Sequence, residues 1–307
     1  MKYAKTPTTL DQQIELLLAR GMQIADPASA RFYLSHIGYY RLRGYWLPFE
    51  EPKRDGETHR FVAGTSFENV LNLYTFDREL RLLVTDAIER IEISVRNQWV
   101  DVLAASHGPH AYLDSSLFAG HRQYGRCLAE IASEFERSKE QYVHHYKKKY
   151  TNPDLPPLWA VVGIMTLGQF SHWFSNLKRK STRARIAKVY ALDESVLASF
   201  LHHLSFIRNV CAHHGRLWNR EVTLTMELPR SKPASLVPNF DYGPDPNQAP
   251  RKIYNTLVML AYMMDCISPG HHWKVRLKGL IASHAIDVRH MGFPNDWERR
   301  SIWVTAT

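Results

Sequence analysis

The chain has only three cysteines in 307 residues, Cys127, Cys211 and Cys266. They are far apart, odd in number and form no CxxC pair, so neither a disulfide framework nor a cysteine zinc site is expected. Long hydrophobic runs are missing too. The longest, Leu158 to Met165, falls well short of the ~20 residues that cross a bilayer. The opening stretch, MKYAKTPTTLDQQIELLLARG, holds no uninterrupted apolar core of the signal-peptide type. Cytoplasm is therefore the expected location, with no membrane partner. There is no glycine-rich phosphate loop, no HExxH pair and no GxSxG elbow, which sets aside P-loop nucleotide chemistry, zincin-type proteolysis and the serine hydrolases of that motif.

Acidic residues are the scarcer charge, 30 against 39 Lys and Arg, giving a net charge of +9. Such a surplus suits a polyanionic partner, with nucleic acid ahead of membrane, although a solvated basic surface is the plain alternative. The apolar content of 45% and charged content of 22% are those of a globular chain.

What is present is helical. Thr9 to Gln12 has capping-box spacing ahead of Leu10, Ile14, Leu17 and Leu18, with Gly21 as a C-terminal cap. Asp26-Pro27 reads as an N-cap followed by proline at the first helical position. A second capping box, Thr65 to Glu68, opens a helical stretch from about Phe67 to Ser106, long enough that a bend or break is expected. Residues 152–157 read as a linker, Leu158 to Phe174 as one apolar segment, and residues 178–188 as a basic one. Asp193 is placed to cap a helix ending at Gly215. Six prolines between 228 and 250 mark an extended connector, followed by helices over about 251–267 and 271–284. No strand alternation appears, so the fold class expected is all-α.

Histidine is abundant, 16 residues, and densest at His202-His203 and His213-His214. Adjacent helical histidines point about 100° apart and no acidic residue shares the segment, so no metal is expected there. The alternative lies in Arg208-Asn-Val-Cys-Ala-His-His-Gly-Arg-Leu-Trp-Asn-Arg220. Cleaving RNA by 2′-hydroxyl attack takes a base, an acid and positive charge for the phosphorane oxygens. Histidine suits the proton transfers, arginine's planar fork suits the phosphate, and no metal or other cofactor is needed. Arg-x4-His also occurs at Arg31/His36 and Arg54/His59; only the third copy has Asn209, a second histidine and further arginines beside it. Positions five apart are about 140° apart on an ideal helix. Arg208 and His213 therefore meet one phosphate only if the helix distorts near Gly215 or a second subunit completes the site. A capped helix end with solvated cations is the bland reading.

Arg41 and Arg43 among Tyr39, Tyr40, Tyr45 and Trp46 could hold RNA, but an aromatic core is the favoured reading. Arg90 and Arg96 are expected to pair with Glu89 and Glu92. Lys147–Lys149 and Arg179–Lys188 are candidate backbone contacts.

At the Arg208 segment the sequence resembles the Abi family of abortive-infection proteins (AbiD/AbiF-like), members of the HEPN ribonuclease superfamily. The likeness also takes in Arg20-Gly-Met22, Ile37-Gly-Tyr-Tyr-Arg-Leu-Arg-Gly-Tyr-Trp-Leu-Pro-Phe49, Tyr74-Thr-Phe-Asp-Arg78, Ala87-Ile-Glu-Arg-Ile-Glu-Ile93, Leu155-Pro-Pro-Leu-Trp159 and Met291-Gly-Phe-Pro-Asn-Asp-Trp297.

The resemblance implies an all-α, HEPN-like bundle with extra N- and C-terminal helices. It would be a single unit over 1–307, with an N-terminal helical and aromatic extension of about 1–65, a core of about 66–220 carrying Arg208 and His213, and a proline-rich connector with C-terminal helices over about 221–307. It also implies a metal-independent endoribonuclease of a phage-defence or toxin system. The catalytic residues would be Arg208, Asn209 and His213, with His214 as an auxiliary and Arg216, Asn219 and Arg220 on the RNA. The expected partners are the RNA substrate, a second copy of the chain, and a neutralising RNA or antitoxin. A non-catalytic RNA-binding module is the other reading. One departure is clear: an acidic residue is expected near position 163, where the chain has Gly163, leaving Glu89 or Glu92 as substitutes.

Overall fold

The structure is a computed structural model of the 307-residue chain that describes residues 6–52, 59–244 and 250–304; Arg54 and its glycine neighbour at 56 lie outside them. Among the described residues there are twelve α-helices and short 3-10 turns, with no strand beyond three isolated bridges. The fold is all-α. The chain divides into two compact units, Met1–Leu80 with Gly279–Ile286, and Arg81–Lys278 with Asp287–Thr307.

The first unit holds α1 (Leu10–Ala19), α2 (Pro27–Ile37), α3 (Tyr39–Trp46) and the start of α4 (Phe67–His107). The capping box of Thr9 and Gln12 forms, Gly21 follows α1 with φ of 90°, and the Asp26 carboxylate accepts from the Ala28 and Ser29 amides. The aromatic run of α3 is largely core. Trp46 is fully buried, and Tyr45 donates to the buried Asp77 carboxylate at 2.7 Å, while Tyr40 is exposed. At the start of α4 the expected capping box does not form. Thr65 donates back to the Val62 carbonyl, Ser66 accepts from the Asn69 amide, and Glu68 reaches the Ala25 amide instead. The expected break in α4 is absent as well: it is one helix of 41 residues. No glycine or proline interrupts it, and its buried stripe runs on through Val70, Leu80, Val84, Ile88, Ile91, Val95 and Trp99.

The second unit takes α4 from Arg81 onward. It adds α5 (His121–Arg137), α6 (Gln141–Lys149), α7 (Leu158–Ile164), α8 (Leu167–Ser175), α9 (Lys180–Lys188), α10 (Glu194–Ala212), α11 (Tyr254–Ile267) and the first part of α12 (Trp273–Ser283). Helices α5 and α6 have no counterpart in the sequence reading. Each buries only a sparse stripe, Cys127, Ile131 and Phe135 in one, Val143 and Tyr146 in the other. The apolar segment 158–174 is two helices, because Thr166 and Gln169 form a capping box that starts α8 afresh. Helix α10 packs on α8 and α9, and α5 on α7 and α8. Asp193 occupies the N-cap of α10 without a side-chain capping bond. The described part of the proline-rich connector holds a single 3-10 turn, Val237–Asn239. Among the described residues no helix is long and apolar enough to cross a membrane.

Candidate functional site

Helix α10 is driven into the unit by Leu197, Phe200, Leu201, Leu204 and Ile207, all fully buried. That face leaves Arg208 and Asn209 on the exposed one. The helix ends three residues later, and the chain takes a tight reverse turn. His213 sits at the C-cap with φ −91° and ψ 16°, and its amide donates to the Asn209 carbonyl at 3.0 Å. His214 adopts a left-handed φ of 56°, a conformation that side chains other than glycine and asparagine enter at a cost. The Gly215 amide then bonds the Val210 carbonyl at 2.7 Å. A β-carbon at Gly215 would meet Val210 Cγ1 at 3.0 Å, so the return is close enough to call for glycine.

The segment is pinned on both sides. Val210 and Cys211 are buried before the turn, Leu217 and Trp218 after it. Buried Arg81 donates to the Gly215 carbonyl at 3.4 Å. Arg208 and Asn209, just before the first anchors, and His213 and His214, between the two sets, are all exposed. Arg208 donates to the Asn209 side-chain oxygen at 3.4 Å. Of the other residues singled out, Asn219 accepts from Lys252 at 2.7 Å, and the Arg220 guanidinium lies over the Phe206 ring at 5.7 Å. Arg216 is half-buried beside them. Arg41 and Arg43 lie on α3 in the first unit, whereas the α10 site is built from the second unit alone.

Helix α4 brings a second set of charges to Arg208. Glu92 and Arg96, one turn apart and half-buried, form an ion pair, and Arg96 also donates to the Met165 carbonyl at 2.7 Å. Burial pushes the Glu92 carboxyl up, against the opposing pull of Arg96 and Arg208, and neighbouring Glu89 adds to the rise. Burial likewise lowers Arg96, with Arg208 working in the same direction. Arg208 is therefore close enough to act electrostatically on both members of the pair. Glu92, which with Glu89 is one of the two carboxylates the sequence offers for the missing acid at 163, is acted on electrostatically by Arg208. Arg90 pairs with Asp86 at 3.2 Å and not with Glu89, as had been expected.

At Gly163 the space is taken. A β-carbon there would lie 2.6 Å from the Tyr142 hydroxyl. Tyr142 on α6 and Arg96 on α4 are also within electrostatic reach of one another.

The other histidines are divided. His203 is buried and held by the Leu224 carbonyl and the Thr256 hydroxyl, at 2.6 and 2.8 Å. Burial pushes its pKa down to about 4. His202 is exposed, with its ring 5.8 Å from that of His172. Among the described residues no three His, Cys, Asp or Glu side chains converge as metal ligands.

The arrangement can place a permanent cation, a neutral amide and an imidazole on one exposed helix end, next to a half-buried carboxylate whose proton affinity is raised. Sequence reasoning missed Tyr142, because its partnership with Gly163 is made only when α6 packs by α7. The family model described as Abi-like protein matches residues 32–219, from α2 to just beyond α10. No curated protein matches the chain, and no solved structure does.

Proposed function

The chain belongs to the Abi-like protein family, and from that premise we propose that it is an abortive-infection effector that cuts RNA without a metal, at the end of α10. The observation that carries the reading is the exposed constellation of Arg208, Asn209 and His213 at a helix end set by buried neighbours, with Arg208 acting electrostatically on Glu92 and Arg96.

In this reading Arg208 meets the phosphate. Its fork stays charged and donates paired hydrogen bonds to two non-bridging oxygens. As the 2′-hydroxyl attacks, charge builds on those oxygens and the interaction strengthens. Asn209, already bonded to Arg208, holds the guanidinium in place. His213 takes the proton from the 2′-hydroxyl or returns one to the departing 5′-oxygen. A single imidazole cannot do both in one step. A second copy of the chain related by a two-fold axis would supply the other, as the HEPN resemblance implies. DNA, which lacks the 2′-hydroxyl, would be bound but not cut.

The test is cleavage of RNA by wild type and His213→Ala with EDTA present. The expected result is a 2′,3′-cyclic phosphate end from wild type and a loss on the order of 10²- to 10⁴-fold in the variant. Equal cleavage by both would remove His213 from the chemistry. The Gly163–Tyr142 contact favours one other reading, an RNA-binding module without catalysis, since a tyrosine hydroxyl fills the space where an acidic side chain is expected. It would show salt-dependent RNA binding and no product.

A further inference from the structure

Among the described residues of the second unit the exposed large aromatic side chains are Tyr142, Tyr150 and Trp159, and all three open on one cavity. Trp159 is 60% exposed, Tyr150 45% and Tyr142 41%. All three line an open cavity of about 590 Å³ beside α6 and α7, which Gly163 also lines. That volume is within the ~300–1,000 Å³ of small-molecule sites. The wall is rigid where it is buried. The Tyr146 ring lies 5.0 Å from that of Tyr150, and its hydroxyl is tied to the Pro153 and Leu155 carbonyls at 2.8 and 3.1 Å.

Three nitrogen-bearing side chains line the cavity, His110, His145 and Asn152. His145 and Asn152 are exposed, while the His110 Nε2 is shut off from solvent. An exposed imidazole and an exposed carboxamide can each donate to or accept from the edge of a ligand. No carboxylate lines the cavity. Exposed Lys148 and Lys149 stand at the end of α6, and the Lys149 ammonium lies 5.3 Å from the Tyr150 ring centre. Aromatic faces for stacking, an exposed imidazole and carboxamide, no negative charge and a cation beside Tyr150 together suit a flat heterocycle carried on an anionic backbone.

Gly163 on the cavity wall is two residues from Met165, whose carbonyl accepts from Arg96, and Arg96 is acted on electrostatically by both Tyr142 and Arg208. We propose that the cavity receives an unstacked base of single-stranded RNA, stacked on Trp159 and Tyr150 with its edge toward His145 and Asn152, while the backbone of the same strand runs to Arg208. This rests on the ribonuclease reading for the role of Arg208 and deepens it by naming a single-stranded, base-out substrate.

The experiment measures binding of a fluorescein-labelled single-stranded RNA of about twelve nucleotides, by anisotropy, in a His213→Ala background so that product formation does not intrude. Trp159→Ala is expected to weaken binding about five- to a hundred-fold with an unchanged salt slope. Trp159→Phe, which keeps a stacking face, should restore most of it. An abasic oligonucleotide of the same length should bind all three proteins alike. Unchanged binding by Trp159→Ala, or an equal loss on the abasic strand, overturns the base pocket and leaves the ribonuclease reading standing. Full cleavage by His213→Ala would remove that reading, and the same binding comparison on a 2′-O-methyl oligonucleotide, whose blocked 2′-oxygen cannot attack, would still decide the pocket. Trp159 is mostly exposed, and a matching thermal melt confirms that its replacement leaves the fold intact.

Discussion

The hydroxyl of Tyr142 stands 2.6 Å from the point where any side chain at Gly163 would begin. The two positions are therefore mutually exclusive in content: a carboxylate at 163 requires Tyr142 to swing away. Tyr142 is 41% exposed and its hydroxyl is the far end of the side chain, so it can yield.

Gly163→Ala tests how firmly the tyrosine is held. A glycine inside a helix costs about 0.5–1 kcal/mol relative to alanine, so the substitution gains that much in α7 and loses some of it in moving Tyr142. Urea denaturation should show a net change below about 1 kcal/mol in either direction. A loss well beyond that would mean that Tyr142 is locked in place.

Glu92→Gln probes the ion pair by pH. The carboxyl of Glu92 is raised by burial, and Arg96 and Arg208 only partly oppose this. A carboxyl whose folded value lies above its unfolded one favours the folded state while protonated, and that advantage is lost as pH climbs through the folded value. At neutral pH the neutral glutamine should therefore match or exceed wild type in stability, and the difference should shrink as the pH drops into the ordinary carboxylate range. Clear destabilisation at pH 7 would show that the Glu92–Arg96 attraction outweighs desolvation.

His203 gives the opposite slope. Its value falls from 6.5 to about 4 on folding, so its contribution to stability is complete above 6.5 and is lost as pH falls toward 4. The full linkage is on the order of 3 kcal/mol. Stability measured across that window should fall for wild type and flatten in His203→Asn; parallel curves would remove His203 as the cause.

His214→Gly separates the two adjacent histidines. Residue 214 is left-handed, so glycine there relieves roughly 1 kcal/mol of backbone strain and should raise the melting temperature by a few degrees. RNA cleavage should persist, since His213 is assigned the proton transfer. Loss of cleavage with a raised melting temperature would reassign the role to His214.

Much of this was readable along the chain. The all-α class follows from apolar spacing, and the starts of α1 and α2 follow from Thr9-x-x-Gln12 and Asp26-Pro27, whose capping bonds are local. The turn at Gly215 was legible because a helix end is written in adjacent residues. Local signals misled where another partner competed, distant in the chain for Glu68 and one helical turn away for Arg90. Glu68 had the spacing for a box with Thr65 yet bonds Ala25, and Arg90 had Glu89 beside it yet pairs with Asp86. The aromatic cavity could not be read at all. Tyr142, Tyr150 and Trp159 come from α6, the chain after it and α7, and an exposed tryptophan has the same letter as a buried one.

The anchors on either side of the α10 turn have one more consequence. Val210 and Cys211 are sunk before it, Leu217 and Trp218 after it, and Gly215 is drawn against Val210. Inserting or deleting a single residue between Ile207, fully buried just before Arg208, and Leu217 would drag an apolar side chain out of the interior. The interval separating Arg208 from His213 is thus enforced by folding itself, and a descendant that had given up all chemistry would inherit the same interval. Only the identities of the side chains at 208, 209 and 213 carry a record of the reaction.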